Sequence, residues 1–532
     1  MASKIFHEAL NGSFRDTDVW SLEGLSVSKT TLLTVGLALP VGAYFLQGLW
    51  SSLFSPIAKY PGPLLAKWTR LWYLYQANTG NSHIELQRLH DKHGPIVRIS
   101  PNLLDIDDPE IIKDVYSQKN EWLKTEFYHG SSALVNGQIV LNLFSQTNPA
   151  KHAKERRPIG KYYSAASMAG LEPHMDKTID QLCYQLETRF ASKGKTLDFS
   201  DWINYYTWDV VGAVTFSKPI GYLEHGTDFD GTLRNADKAM DYFAVVGAIP
   251  FLDRIFDKNP VYRLGPPGFN VITGISVGHL IDRYQGKDKD YHDPETPDFL
   301  DQFIDAKNND PENVDDAQII SWLMVNMIAG ADTTAILIRS VVYYGLKNPE
   351  IWAKLVAEIR EAVPKSSLPP AYKDVRNLPY LDAVVRESSR FHPGVAMTLE
   401  RYVPKGGYTL SNGDYLAEGL AVGMNPYIIC RNKSVFGPDA NEFRPERWLR
   451  DEDAGESQEQ FKARLTAMNK ADLSFGAGAR ICIGKNMALW QVFKVLATLI
   501  ALYDFELVTK EWTVINSFFM RQEDFKIKLR RV

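Results

Sequence analysis

One cysteine of the chain, Cys482, lies in a loop of unusual composition. The loop reads FGAGARICIG, from Phe475 to Gly484. An apolar segment with helical spacing begins at Lys485, so the thiol precedes a helix N-terminus, where amide N–H groups and the helix dipole favour a thiolate. A thiolate in such a place is a nucleophile or a metal ligand, and the alternative is a buried, inert cysteine.

The residues around Cys482 favour ligation of a metal within a flat, bulky group. Glycines allow positive φ and close approach of the backbone, while Phe475 can pack beside the group and Arg480 supplies a fixed cation. A thiolate with these neighbours suits axial ligation of haem iron, and the arginine suits a haem carboxylate. The loop glycines concerned are Gly476, Gly478 and Gly484.

Composition narrows the class of protein. The chain has 532 residues, of which 45% are hydrophobic and 23% charged, as in globular proteins. A net charge of −5 and the lack of a Lys/Arg-rich run argue against binding of nucleic acid. Cys183, Cys430 and Cys482 are too few for a disulfide framework or a four-cysteine zinc site, so the folded part is expected in a reducing compartment.

Two other motifs carry weaker signals. GISVG, Gly274 to Gly278, matches the nucleophile elbow of hydrolases, but its flanks fit a helix running through the site. His90 and His93 have metal-ligand spacing, yet the pair is more typical of the end of a solvated helix. Neither motif is expected to carry the chemistry.

An uncharged apolar segment runs from Thr31 to Phe54. At about 1.5 Å per residue it is long enough for a bilayer core, which needs roughly 20 residues. Lys59, Lys67 and Arg70 follow it, so the positive-inside rule places the C-terminal bulk in the cytosol. A buried core helix and a cleaved signal peptide are the alternatives to a retained anchor.

The anchor divides the chain into four predicted parts. Residues 1–30 form a lumenal tail, 31–54 a transmembrane anchor, 55–66 a proline-rich hinge and 67–532 the catalytic domain. Asn11 in Asn-Gly-Ser would then be a lumenal glycosylation acceptor. The predicted location is the endoplasmic reticulum membrane, crossed once, with the catalytic domain in the cytosol.

The rest of the chain reads mostly as helix, with a few short strands. The predicted class is mainly α with small β-sheets (α+β), in one large domain. Strands are predicted within Ile96–Asp107 and at Thr398–Val403, Tyr408–Leu410 and Phe525–Leu529. Amphipathic or apolar helices are predicted at Met175–Phe190, Asp316–Tyr344, Pro349–Val363, Leu381–Phe391 and Asn486–Tyr503.

The pattern Phe475-x-x-Gly478-x-Arg480-x-Cys482-x-Gly484 resembles the haem-loop signature of cytochromes P450. The resemblance covers roughly residues 58 to 532 and implies the cytochrome P450 fold. It also implies haem b as cofactor, with Cys482 as the axial ligand of its iron and with Phe475, Gly478 and Arg480 as haem contacts.

The stretches VVRESSRFHP and FRPERW also resemble family motifs, in the family's order. Glu387 and Arg390 are three residues apart on one helix face, and such a pair alone is usually a surface contact of little worth. The resemblance implies that both pair with Arg447 in a structural triad behind the haem.

The stretch AGADTT, Ala329 to Thr334, lies in a very apolar helix. An acid and two hydroxyl groups are costly there unless they are used, and Thr333 can compete for backbone hydrogen bonds and open the turn. A helix bend with a satisfied threonine is the alternative. The resemblance assigns Thr333, with Asp332, to the delivery of protons that cleave the O–O bond.

Three further cations match positions that contact haem propionates. His152 and Arg156 in KHAKERRP are four residues apart, and Arg401 lies in LERYVP. Each alone reads as a surface basic residue. By resemblance, these residues together with Arg480 neutralise the two propionates.

The resemblance implies a haem-thiolate monooxygenase of the microsomal, fungal type, similar to the pisatin-demethylase-like group. Its substrate would be a lipophilic small molecule of secondary metabolism: a terpenoid, polyketide or alkaloid. The expected walls of its pocket are Phe127–Phe144, Ile328 with Ala329, and Val395–Thr398.

Electrons would come from NADPH through NADPH-cytochrome P450 reductase, with cytochrome b5 as a further candidate donor. The alternatives are a haem-thiolate isomerase or dehydratase that needs no external electrons, and a non-catalytic haem-binding protein.

Overall fold

The chain is mainly helical with small sheets, as predicted. The computed structural model describes residues 19–22, 25–119, 121–135, 137–259, 261–265 and 269–532. The predicted glycosylation acceptor, Asn11, lies outside these residues, as does most of the predicted lumenal tail.

The helices up to residue 256 are α1 (Lys29–Phe54), α2 (Leu64–Trp68), α3 (Leu71–Asn78), α4 (Ser82–His93), α5 (Ile112–Val115), α6 (Pro149–Arg156), α7 (Ala165–Arg189), α8 (Phe199–Phe216), α9 (Tyr222–His225), α10 (Thr232–Ala248) and α11 (Pro250–Phe256). Those that follow are α12 (Asn270–Gln285), α13 (Phe299–Asn309), α14 (Asp316–Gly330), α15 (Asp332–Lys347), α16 (Pro349–Ala362), α17 (Tyr372–Val375), α18 (Pro379–Phe391), α19 (Pro426–Ile429), α20 (Lys433–Phe436), α21 (Gln458–Ala471) and α22 (Lys485–Leu502). Short 3₁₀ turns occupy Pro109–Ile111, Glu126–Ser131, Gly160–Tyr163, Ala191–Lys193, Lys365–Ser367, Pro445–Trp448 and Gly478–Arg480.

The strands are β1 (Val19–Leu22), β2 (Leu25–Ser28), β3 (Ile96–Ser100), β4 (Leu103–Ile106), β5 (Ala133–Val135), β6 (Gln138–Val140), β7 (Thr196–Asp198), β8 (Arg401–Tyr402), β9 (Tyr408–Thr409), β10 (Tyr415–Leu416), β11 (Ala421–Gly423), β12 (Tyr503–Leu507), β13 (Thr513–Ser517), β14 (Phe519–Glu523) and β15 (Lys526–Arg531). The sheet β3-β4-β11-β8 has one parallel pair, β4 with β11, between two antiparallel pairs. A second sheet has the order β12-β15-β7, and β13 pairs with β14 as a hairpin.

Two helical stretches in the described part of the chain, Asp316–Lys347 and Lys485–Leu502, are long and apolar enough to cross a membrane by composition alone. Half of the most apolar window of the first, and 83% of that of the second, is buried inside the protein. A helix that is apolar on all sides and buried by its neighbours is a core helix. Helix α22 is therefore a core helix, while α14 and α15 together are covered by their neighbours over about half of that window.

The predicted anchor segment forms one helix, α1, with exposed apolar side chains. Leu39, Leu46 and Trp50 are 67%, 69% and 64% exposed. The last turn of α1 is attached to the body by the buried Arg98, whose Nη2 donates to the Ser51 hydroxyl at 2.8 Å. The amide of Arg98 also donates to the carbonyl oxygen of Pro61 at 2.7 Å, so the predicted hinge packs on β3.

Local signals explain the helices that position the site. The side chain of Asn148 accepts from the amides of Ala150 and Lys151 at 2.9 and 3.1 Å, and Pro149 occupies the first position of α6. The predicted helix Asp316–Tyr344 is instead two helices, α14 and α15, interrupted at Ala331. The predicted strand Thr398–Val403 is shorter than expected, since only Arg401–Tyr402 pairs.

Candidate active site

Cys482 lines an internal cavity of about 310 Å³, within the range of about 300–1,000 Å³ typical of ligand sites. Its amide donates to the carbonyl oxygen of Phe475 at 2.9 Å, which closes the loop. Gly478 has φ +62°, and a Cβ there would lie 1.8 Å from the carbonyl oxygen of Tyr116. Only glycine fits at that position.

One expectation for the loop is wrong. Gly484 has φ −80° rather than a positive φ, because it caps the N-terminus of α22. A Cβ at Gly484 would lie 4.0 Å from Cys482 Sγ. The amide N–H of Gly484 is directed at Cys482 Sγ, and the residue does not form a turn with positive φ.

The pKa of the Cys482 thiol reflects opposing effects, and the helix N-terminus acts in the predicted direction. Burial raises the pKa of the Cys482 thiol above its ordinary value. The amide N–H groups of Gly484 and Lys485 and the charge of Arg156 offset this rise only in part. A coordinating metal ion deprotonates a thiol, and the Cys482 side chain is exposed at the cavity, where it could meet such an ion.

Four cations line the same cavity: Lys124, Arg156, Arg401 and Arg480. Burial, with the charge of Arg401, lowers the pKa of Arg480 to about 10. Burial, with the charges of Arg401 and Arg480, holds the pKa of Lys124 well below its ordinary value. Positive charges that disfavour one another in this way indicate a site for an anion.

The three guanidinium groups contact neutral oxygen atoms. Arg156 Nη1 donates to the carbonyl oxygen of Ile481 at 3.0 Å, and Arg480 Nη1 donates to that of Gln146 at 2.8 Å. Arg401 Nη1 donates to the carbonyl oxygen of Glu400 at 2.8 Å. Within the described residues none of the three forms an ion pair, and the buried Arg480 Nε has no hydrogen-bond partner.

His152 is buried beside these cations and lines the cavity. Burial, followed by the charges of Arg480, Lys124 and Arg156, lowers the pKa of His152 to about 3. The imidazole is therefore neutral and can offer one N–H to a carboxylate. A cysteine, a neutral histidine and four cations around one apolar cavity fit haem b with its two carboxylates.

Sequence reasoning missed Lys124. The residue is 8% exposed, and its Nζ lies 4.1 and 4.3 Å from the ring centroids of Tyr128 and Phe144. The sequence did contain a signal that Lys124 is buried: it is a lone lysine that follows the apolar Trp122-Leu123 and precedes the aromatic Phe127-Tyr128. Such flanks indicate a lysine drawn into an apolar environment.

Thr333 lines the cavity at the point where the long apolar helix is interrupted. Its hydroxyl donates to the carbonyl oxygen of Ala329 at 2.8 Å, and the hydroxyl of Thr334 donates to that of Gly330 at 2.8 Å. Both bonds compete with the helix ladder, as the sequence indicated.

Asp332 does not line the cavity, although it precedes Thr333. Its Oδ1 accepts from Trp208 Nε1 at 2.9 Å, toward α8. Burial raises the pKa of this carboxyl, while the bond to Trp208 and the charges of Arg339 and Arg521 lower it in part. A carboxyl with a raised pKa retains its proton to higher pH.

Glu387, Arg390 and Arg447 meet in a fully buried cluster away from the cavity lining. Arg390 Nη2 and Nε donate to the two Glu387 oxygens at 2.7 and 2.9 Å, and Arg447 Nε donates at 3.0 Å. Trp448 Nε1 donates a further hydrogen bond to Glu387 Oε2 at 2.9 Å. Sequence reasoning did not predict this contact. Burial disfavours the charged form of Glu387 and so raises its pKa. The two arginines outweigh this effect and hold the pKa of Glu387 below its ordinary value.

The cavity walls are mostly apolar. The predicted segments contribute Tyr128, Phe144, Ile328, Ala329 and Val395. Sequence reasoning missed a wall built from α10 and from the β13–β14 turn, because neither segment carries a chemical motif. The missed aromatic residues are Phe243, Phe518 and Phe519.

The two weaker motifs are outside the site. GISVG lies inside α12, so it forms no strand–turn–helix elbow. His90 is buried rather than solvated, and its Nε2 bonds to Asp105 Oδ1 at 2.9 Å. That interaction accounts for the histidine without a metal.

The model of the family "Cytochrome P450" matches residues 61–529. Cytochrome P450 monooxygenase cfoH of Aspergillus candidus is 43% identical over 524 residues, which are 97% of this chain and 96% of that protein. Cytochrome P450 monooxygenase cicH of Emericella nidulans is 33% identical over 478 residues, 89% of this chain and 94% of that protein.

A third relative is longer than this chain. Cytochrome P450 monooxygenase mpaDE of Penicillium brevicompactum is 33% identical over 515 residues, 95% of this chain but 58% of that protein. The family uses haem b, and the cavity described above fits that group. With the family model matched over most of its length and with fungal monooxygenases as relatives, the chain belongs to the cytochrome P450 family and is a monooxygenase.

Proposed function

We propose that this chain oxidises a lipophilic small molecule of fungal secondary metabolism, a terpenoid, polyketide or alkaloid. One atom of O₂ enters the substrate, and the other leaves as water with two protons and two electrons. The observation that carries the proposal is that Cys482, four cations and Thr333 share one apolar cavity. Haem, when bound there, supplies the activation of O₂.

Each haem contact has a proposed role. Cys482 would ligate the iron, Phe475 would pack beside the group, and Gly478 would allow the loop to approach it. Arg156, Arg401 and Arg480 would neutralise the propionates, with a hydrogen bond from His152, and we add Lys124 to this set. The support is that all five residues line one cavity, and that burial and neighbouring positive charges lower the pKa values of Lys124, His152 and Arg480.

Thr333 and Asp332 deliver the two protons. The Thr333 hydroxyl lies at the cavity and can donate once its bond to the Ala329 carbonyl is exchanged. Asp332 is adjacent and half-buried, and desolvation raises its pKa above the ordinary value, which favours the protonated form that can donate. Because it faces Trp208 rather than the cavity, Asp332 acts through Thr333.

The electrons come from outside the chain. We propose NADPH-cytochrome P450 reductase as the donor, with cytochrome b5 as a second one. We also propose that α1 anchors the protein in the endoplasmic reticulum membrane, with residues 1–30 lumenal, 55–66 a linker packed on the body, and 67–532 a cytosolic catalytic domain. The exposed apolar side chains of α1 support this arrangement.

An isomerase or dehydratase that needs no external electrons is the second candidate. Such an enzyme has no use for protons delivered to O₂, so the interruption of the helix at Ala331 and the hydroxyl of Thr333 in the cavity favour the monooxygenase. The two candidates differ in one measurable respect, which is the dependence of turnover on NADPH.

The test uses the full-length, haem-loaded protein in reductase-containing membranes. We expect the shifted carbonyl absorption band of thiolate-bound haem, which disappears in Cys482→Ala but persists in the control Cys183→Ala, whose thiol is outside the cavity. Lipophilic substrates should be consumed only with NADPH. Persistence of the band in Cys482→Ala, or turnover undiminished without NADPH, contradicts the proposal.

A further inference from the structure

Three phenylalanines from three separate segments meet in the cavity and form what we call the aromatic wall: Phe144, Phe243 and Phe518. The ring centroids of Phe243 and Phe518 are 5.0 Å apart, those of Phe144 and Phe518 are 5.6 Å apart, and those of Phe144 and Phe243 are 6.1 Å apart. Interplanar angles of 64–78° make all three contacts edge-to-face, the geometry that aromatic quadrupoles favour. All three residues also line the cavity.

The backbone of Phe518 is unusual. It forms the turn between β13 and β14 with φ +74°, a conformation that a bulky side chain rarely adopts. The ring is nevertheless buried, at 2% exposure. A strained, bulky residue at a cavity is maintained only when surrounding contacts determine it, and such residues cluster at ligand sites.

Hydrogen bonds fix the turn beside the oxygen-handling threonine. The amide of Ala396 donates to the Phe518 carbonyl oxygen at 3.2 Å, and that of Met520 donates to the Gly394 carbonyl oxygen at 3.1 Å. A Cβ on Gly394 would lie 3.6 Å from Thr333 Cβ. The turn that carries Phe518 is therefore attached to the segment that packs beside Thr333, and both Phe518 and Thr333 line the cavity.

We propose that the substrate carries an aromatic ring, which packs on the aromatic wall and is held there next to Thr333. This inference rests on the proposed function and narrows its substrate class to aromatic molecules. An aromatic pair adds roughly a 2- to 12-fold gain in affinity beyond the burial of area. A saturated ring of the same size makes the apolar contact without that gain.

The test compares 4-phenyl-1-butanol with 4-cyclohexyl-1-butanol, which share a skeleton and a hydroxyl group. Their dissociation constants for the full-length, haem-loaded protein are measured by equilibrium dialysis. The saturated probe is the more hydrophobic, so hydrophobicity alone favours it. We expect the aromatic probe to bind at least about 3-fold more tightly, with the preference lost in Phe518→Leu and Phe243→Leu.

Phe127→Leu is the matched control. Its ring lies 5.2 Å from Phe243 and 6.1 Å from Phe518, but it stands behind the wall, outside the cavity lining. The preference should persist in this variant. Phe518→Gly provides a second test that removes the ring while relieving the backbone strain, and the carbonyl band of the same sample reports whether the variant still folds around haem.

Equal binding of the two probes by the wild type overturns the inference, as does a preference that survives in Phe518→Gly. Loss of the preference in Phe127→Leu also overturns the inference. The preference would then depend on how the wall is packed from behind and not on direct contact between the probe and the wall. The carbonyl band measured on the same samples separates the two proposals. A normal band without a preference rejects the aromatic substrate alone, whereas a missing band rejects the haem-thiolate function.

Discussion

Removing the buried carboxylate of Glu387 should destabilise the protein severely. Its two oxygens accept hydrogen bonds from two arginine side chains, from Trp448 Nε1 and from the amide of Arg444. Arg390 is 0% exposed and Arg447 is 2% exposed, so neither guanidinium can turn to water. Glu387→Gln keeps the shape but leaves the buried Arg390 without a counter-charge, and leaves Arg447 with only the Asp439 carboxylate at 3.2 Å.

The size of the effect follows from the burial of the charges. Breaking a buried ion pair by removing one partner costs about 3–5 kcal/mol, which lowers the folding equilibrium constant roughly 100- to 4,000-fold. The arginines depress the pKa of Glu387, so the stabilisation is complete above the ordinary glutamate pKa. It is lost only as pH falls through the lower pKa of the folded state.

The assay is urea unfolding of the haem-loaded protein at neutral pH, followed by haem absorbance. The matched control is Asp382→Asn on the same helix, α18, where the pair with Arg386 is 37–39% exposed and a surface pair is worth about 0.2–1 kcal/mol. The reasoning that burial determines how much the triad stabilises the protein is refuted if Glu387→Gln lowers the free energy of unfolding by no more than the control does.

Three more outcomes are expected. Thr333→Ala should retain haem but divert reducing equivalents to peroxide, measured as peroxide formed per NADPH consumed; full coupling would reject its proton role. Gly478→Ala should reduce haem incorporation sharply, because the new Cβ meets the Tyr116 carbonyl at 1.8 Å, whereas Gly274→Ala, at a helical position with open space, should not. Lys124→Met should raise the rate of haem loss to an acceptor protein, while Lys151→Met, which does not line the cavity, leaves it unchanged; equal rates in the two variants would remove Lys124 from the propionate set.

The sequence predicted the mainly helical class of the fold. It predicted individual site residues best where a chemical constraint acts over a few neighbouring residues. Glycines with positive φ and an acid–base pair on one helix face each require a particular residue type. Structure and motif therefore agree at Gly476, Gly478 and the Glu387–Arg390 pair, but not at Gly484. The break at Ala331 was also foreseeable, because Thr333 has a hydroxyl that competes for a carbonyl oxygen.

What the sequence did not reveal depends on contacts between distant segments. Lys124 and Arg401 are separated by more than half the chain, and the lowering of the Lys124 pKa by the charge of Arg401 arises only after folding. Phe518 becomes part of a wall only because the β13–β14 turn is bonded to Gly394 and Ala396. The orientation of Asp332 toward Trp208 likewise reflects the packing of α8, which no local pattern encodes.

The crowding of Lys124, Arg156, Arg401 and Arg480 around one cavity has a consequence for the life of the protein in its host. Folding brings these like charges together around the cavity, and a ligand that binds the native state alone stabilises it by mass action. Porphyrin supply should therefore limit how much enzyme accumulates. Chains made in excess of it would be removed by proteolysis rather than stored.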